Sequence, residues 1–133
     1  MVAERDLDNL ERVAAALKEL GAFLRIHGVD DETAQGLPIQ LDGRWLTMIE
    51  TTTWRTDAGD LDVLSSLKDA NGAPIPYAEL SGRSGAATIG GVSVRVAALD
   101  DIIAAKTRAG RPKDNAALPE LLALRDQERD DTD

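Results

Sequence analysis

The sequence predicts an α+β fold (mixed α/β), a small mixed or antiparallel sheet flanked by helices. Three observations predict it. Residues 8–20 carry apolar side chains at helical spacing. Residues 49–64 and 87–96 hold β-branched runs broken by turn chemistry at Asp57-Ala58-Gly59 and Gly90-Gly91. Helical spacing then returns from Leu99 onward. The order is helix, strand, hairpin, hairpin, helices, without the strand–helix alternation of a doubly wound sheet.

Each element has its local reason. In 8–20, Leu10, Val13, Ala14 and Leu17 share a face, Asp8 and Glu11 resemble a capping box, and Gly21 is a natural stop. Ala22 to His27 reads as a short strand, and 28–41 as loop. Asp42 to Met48 reads as a helical turn. Ile49 to Thr56 favours a strand and pairs with Asp60 to Leu64 as an antiparallel hairpin. Residues 69–76 read as loop and Tyr77 to Leu80 as a helical turn. Ala87–Ile89 and Val92–Val96, joined by Gly90-Gly91, form the clearest hairpin signal, with Val92, Val94 and Val96 on one face. Leu99 to Arg108 is an amphipathic helix whose acidic start, Asp100 and Asp101, suits the helix dipole. Gly110 and Pro112 end it, and a last helix covers about Asn115 to Asp126; because Pro119 suits only a first helical turn, either Asp114 caps a separate first turn or the main helix starts later.

With 133 residues, 43% of them hydrophobic and 29% charged, the chain reads as a single soluble domain over residues 1–126 with a disordered acidic tail at 127–133. There is no cysteine, hence no disulfide and no thiolate metal site. The net charge of −9 argues against broad nucleic-acid binding. Apolar stretches are too short to span a bilayer and no signal peptide precedes Glu4-Arg5-Asp6, so the expected location is cytoplasmic.

Two segments carry candidate chemistry. In the strand Gly59-Asp60-Leu61-Asp62-Val63-Leu64, residues i and i+2 point the same way, so Asp60 and Asp62 share a face opposite Leu61 and Val63. Magnesium binds through one or two carboxylates plus substrate phosphates, which suits such a pair at a cleft. The bland alternative is a turn residue and a solvated outer-face acid. Downstream, Lys106, Arg111 and Lys113 make a cationic cluster around a helix end, and held cations clamp phosphate. The bland alternative there is a basic turn favoured by the helix dipole. His27, the one histidine, reads as a strand-end residue, and Trp54 as core rather than a base-stacking platform.

Taken in order, Thr56–Leu64, Gly91–Lys106 and Gly110-Arg-Pro-Lys-Asp114 with Leu121 resemble the C-terminal part of bacterial nucleotidyltransferase-fold proteins, in the AbiEii-like toxin and antibiotic nucleotidyltransferase-like group. The resemblance covers about 110 residues. It implies a mixed sheet flanked by helices and three acids binding two magnesium ions, two on an Asp-x-Asp strand behind a glycine motif and the third on a later strand. Asp62 matches the third acid, with Asp60 its neighbour. Lys106, Arg111 and Lys113 match basic positions facing the phosphates of a nucleoside triphosphate or organising the next helix.

The implied activity is transfer of a nucleoside monophosphate to a hydroxyl acceptor. Two features depart from the pattern. The glycine motif and Asp-x-Asp strand belong before the first helix, where this sequence has only its opening residues, so it reads as N-terminally truncated. Ala117 also stands where the group carries an acid three residues after Lys113-Asp114. Little or no turnover is therefore expected of these 133 residues alone. The competing expectation is a noncatalytic binding or regulatory module of a toxin–antitoxin or resistance locus, its open sheet edge covered by a partner chain or by homodimerisation. An in-frame upstream extension bearing the missing motifs separates the two.

Overall fold

A computed structural model describes residues 1–132, and of Thr132 only the backbone. The chain is mixed α+β, with small antiparallel sheets accompanied by helices. It divides into two compact units, Met1–Ser66 and the residues from Leu67 onward.

In the first unit, α1 (Leu7–Glu19) starts two residues before the expected capping box. Asp6 is the N-cap, its carboxylate accepting the Asn9 backbone N–H at 3.0 Å. The same device starts α2 (Asp31–Gln35) through Asp30 and α3 (Gly43–Thr47) through Asp42. Helix α2 falls where the sequence reads as loop; five residues are too few to show a period. Strands β1 (Phe23–Leu24), β2 (Thr51–Thr56) and β3 (Gly59–Leu64) form an antiparallel sheet in that order. Strand β1 is far shorter than the expected 22–27. On the open side of β3, Met1–Ala3 runs parallel to it, with Leu64 N–H donating to Met1 O and Ala3 N–H to Leu64 O.

The core lies between the sheet and α1 and α3. Leu10, Ala14 and Leu17, one face of α1, meet Leu46, Trp54, Val63 and Ala3. Trp54 is buried, packs edge-to-face on Trp45 at 6.1 Å, and donates its indole N–H to Thr52 Oγ1 at 2.7 Å. Its polar atom is thereby satisfied inside. Gly43 sits so close to α1 that an added Cβ would lie 2.7 Å from the Glu11 backbone nitrogen.

Strand β4 (Ser66–Lys68), which begins at the boundary between the units, pairs with β5 (Pro74–Pro76), the latter within the stretch 69–76 that reads as loop. Prolines at both ends of β5 mask it in the sequence. Helix α4 (Tyr77–Arg83) follows. Strands β6 (Gly85–Ile89) and β7 (Val92–Val96) form the expected hairpin, two residues longer on its first strand. Its turn, Gly90-Gly91, has φ of 57° and 80°, the left-handed pair that a two-residue turn requires.

Helix α5 (Leu99–Ala109) closes at Gly110, and α6 (Pro112–Thr132) runs well past both expected limits. Pro112 takes the first helical position, where no N–H is needed. Pro119 lies inside α6; the Asn115 carbonyl that loses its partner sits on an exposed residue, where water can satisfy it. Residues 127–132, expected as a disordered tail, are helical and exposed up to Asp131; Asp133 lies outside the described residues.

Candidate functional site

Strand alternation builds the first candidate surface. Leu61 and Val63 face the core, so Asp60 and Asp62 share the opposite face of β3. Cross-strand pairing sets Arg55 beside Asp60 and Thr53 beside Asp62. Arg25 joins them because its backbone N–H donates to Thr53 O, and Thr53 Oγ1 returns a bond to Arg25 O.

The two acids differ in environment. Both Asp60 oxygens meet guanidinium groups, Arg25 Nη1 at 3.2 Å and Arg55 Nε at 3.3 Å. Arg55 also reaches Asp31 at 2.6 Å, and its two acids hold the guanidinium further above its ordinary pKa. Asp62 is half-buried and attracts the Met1 amino group electrostatically. Among the described residues, no hydrogen bond or ion pair holds its carboxylate. A polar recess of about 330 Å³ opens beside this network, lined by Arg25, His27, Asp31, Thr53 and Arg55. His27 is exposed at its rim.

The predicted cations lie in the second unit, while Asp62 lies in the first. Lys106 and Arg111 come together around Asp114. Arg111 Nε lies 2.7 Å from Asp114 Oδ2, Lys106 Nζ 3.5 Å from Oδ1, and the Arg111 backbone N–H donates to Oδ2 at 3.2 Å. Asp114 is 1% exposed. It is the third residue of α6 and reaches back to the residue before the helix, which is the acid half of a capping box rather than the cap of a separate turn. Hydrogen bonding from Arg111 outweighs burial and holds the Asp114 carboxyl below the usual carboxylate range, with the charges of Arg111 and Lys106 assisting. Lys113 is exposed.

Sequence reasoning missed three pieces. Asp101 is buried and takes a two-pronged bond from Arg83, at 3.0 and 2.9 Å, tying α4 to α5. Arg25 and Arg55 flank Asp60 only because the sheet register brings them there. Of the two cations on Asp114, Arg111 was open to view in the Arg111-x-x-Asp114 spacing, whereas Lys106 reaches it from α5.

No family model, curated protein or solved structure matches this chain. The functional reading therefore rests on the residues themselves. Among the described residues no group of three or more His, Asp or Glu side chains is placed to hold a metal ion. Of the two acids expected to hold magnesium, Asp62 alone is left free to do so, because Asp60 is engaged by Arg25 and Arg55. That set does not fit a two-metal centre. Nor do the described residues include a helix long and apolar enough to cross a membrane.

Proposed function

We propose that this chain is a nucleotidyltransferase-like domain that contributes one acid, Asp62, to a metal–nucleotide site and has little turnover by itself. With the remaining acids supplied, the domain transfers a nucleoside monophosphate from a triphosphate to a hydroxyl acceptor in the cytoplasm. One observation carries the reading. The residues leading into α1, Met1–Ala3, run parallel to β3 beside the strand that bears Asp62. The resemblance calls for the acid-bearing strand just ahead of the first helix. Neighbouring strands lie about 4.8 Å apart, so acids on a strand in that position and Asp62 come within reach of shared cations. Since the donors present do not complete the site, no catalytic step is assigned to them.

Binding of Mn²⁺ with a nucleoside triphosphate, followed by electron paramagnetic resonance, tests the proposal. Weak binding is expected in the wild type, lost in Asp62→Asn and kept in Asp130→Asn, an equal charge change on exposed α6. Equal binding by wild type and Asp62→Asn overturns the assignment. Robust transfer of labelled nucleotide by the wild-type chain, abolished by Asp62→Ala, overturns the low-turnover part.

A second reading, the noncatalytic binding module, draws on a different observation. Lys106 and Arg111, expected to face phosphates, close on buried Asp114 instead. Absence of Mn²⁺–nucleotide binding in every variant favours it.

A further inference from the structure

We infer that two copies of this chain associate through the apolar face of the β6–β7 hairpin, the tip of each seated in a groove at the base of the other. The register places Ile89 with Val92, Ala87 with Val94, and Gly85 with Val96 on one face. Thr88, Ser93, Ala86 and Arg95 take the other face. The apolar face is open: Ile89 is 65% exposed, Val92 63%, Val96 44% and Val94 37%. The ribbon pairs with no third strand among the described residues. An isolated two-stranded ribbon is marginal in water, so an open apolar face on one calls for a cover.

The cover is a second copy because the same unit carries both a projection and a recess that suits it. A groove of about 800 Å³ opens at the hairpin base, lined by Ala87, Val96, Leu99, Ile102 and Leu124. Leu124 is itself 44% exposed. The ribbon's most exposed apolar residues, Ile89 and Val92, stand at its opposite end. A two-fold axis that stacks two ribbons head to tail lays each tip over the other's base and makes the contact self-complementary. Five residues per strand span about 17 Å, which sets the distance between tip and groove.

Charge points the same way. The chain carries −9 overall, so two copies repel except where carboxylates are absent. From Gly85 to Val96 there is no acid, and Arg95 lies on the outer face. The groove that receives the tip is lined by the acids Asp100, Glu128 and Asp131 and by Arg83, Arg125 and Arg129, so its charges balance. The four exposed side chains offer on the order of 350 Å² of apolar surface per copy, below the roughly 800 Å² of a standard interface partner. The association is therefore weak and reversible, and it depends on the groove.

Sedimentation velocity over a range of roughly 5 µM to 1 mM, spanning weak affinities, tests this on the full chain. A concentration-dependent dimer is expected. Val92→Lys, at an exposed site, weakens it at least tenfold, while Thr88→Lys on the outer face leaves it unchanged. A pairing test uses the natural absence of cysteine. Chains carrying Ile89→Cys mixed with chains carrying Leu124→Cys form a mixed disulfide in preference to the Leu124→Cys homodimer. A monomer at every concentration overturns the inference and leaves the face to a different partner. So does a dimer that Val92→Lys does not weaken, or one with no preference for the mixed disulfide.

Discussion

Asp114 shows how a side chain acquires its role from its neighbours. It is buried, yet a guanidinium, an ammonium and a backbone N–H surround it, and its carboxyl titrates below the ordinary value. The unfolded chain binds this proton more readily than the folded one. Its contribution to stability is therefore complete above the unfolded pKa, about 3.9 for Asp, and is lost as pH falls through the lower folded pKa. Asp114→Asn is expected to unfold at lower urea than wild type at pH 7. The gap between the two should narrow steadily below about pH 4, measured by urea titrations at several pH values. A gap independent of pH would assign Asp114 a packing role only. Gly43 is decided by contact alone. A methyl group there meets the Glu11 backbone at 2.7 Å, so Gly43→Ala should cost about 1–3 kcal/mol, read by chemical denaturation.

Among the elements, the β2–β3 hairpin was legible because its periodicity, β-branched content and Asp57-Ala58-Gly59 turn all agree. The pattern also told which side of β3 the acids take. It could not tell that Asp60 would be held by two arginines, since Arg25 is 35 residues away and meets it only through the sheet. Helix α6 was the hardest to bound. Pro119 is a local helix breaker, and the polar stretch after Asp126 reads as tail. The helix persists through both because the capping by Asp114 and Pro112 sets its start and because the lost hydrogen bond faces solvent. Pro119→Ala restores that bond. It is expected to stabilise the helix by about 1–3 kcal/mol, after allowance for the looser unfolded chain, and to slow amide exchange around residues 115–125. Unchanged exchange there would show that the proline is strain-free.

At the scale of the whole molecule, the two units are held by different means. The first has a contiguous apolar core around Leu10, Leu17, Trp54 and Val63. In the second, the buried hydrophobics among the described residues are Ile75, Leu80 and Ile103, and buried Asp101 and Asp114 add ionic anchors. Trp54→Ala should accordingly cost about 3–5 kcal/mol. The net charge of −9 opposes compaction throughout. Raising salt from about 10 to 300 mM should lift the thermal midpoint by a few degrees, because screening relieves self-repulsion more than it weakens partly buried pairs. A midpoint that falls with salt would mean the ion pairs dominate.

By itself the sequence determined the helical and hairpin segments with strong periods, the turn at Gly90-Gly91, and the common face of Asp60 and Asp62. These follow from backbone geometry within a few residues. Only the tertiary structure decided which charges meet. It set Asp60 between Arg25 and Arg55, Lys106 beside Asp114, Asp101 on Arg83, and Met1–Ala3 beside β3. The physical reason is range: a backbone period is a local property, whereas a charge finds its partner through folding of segments far apart in the chain.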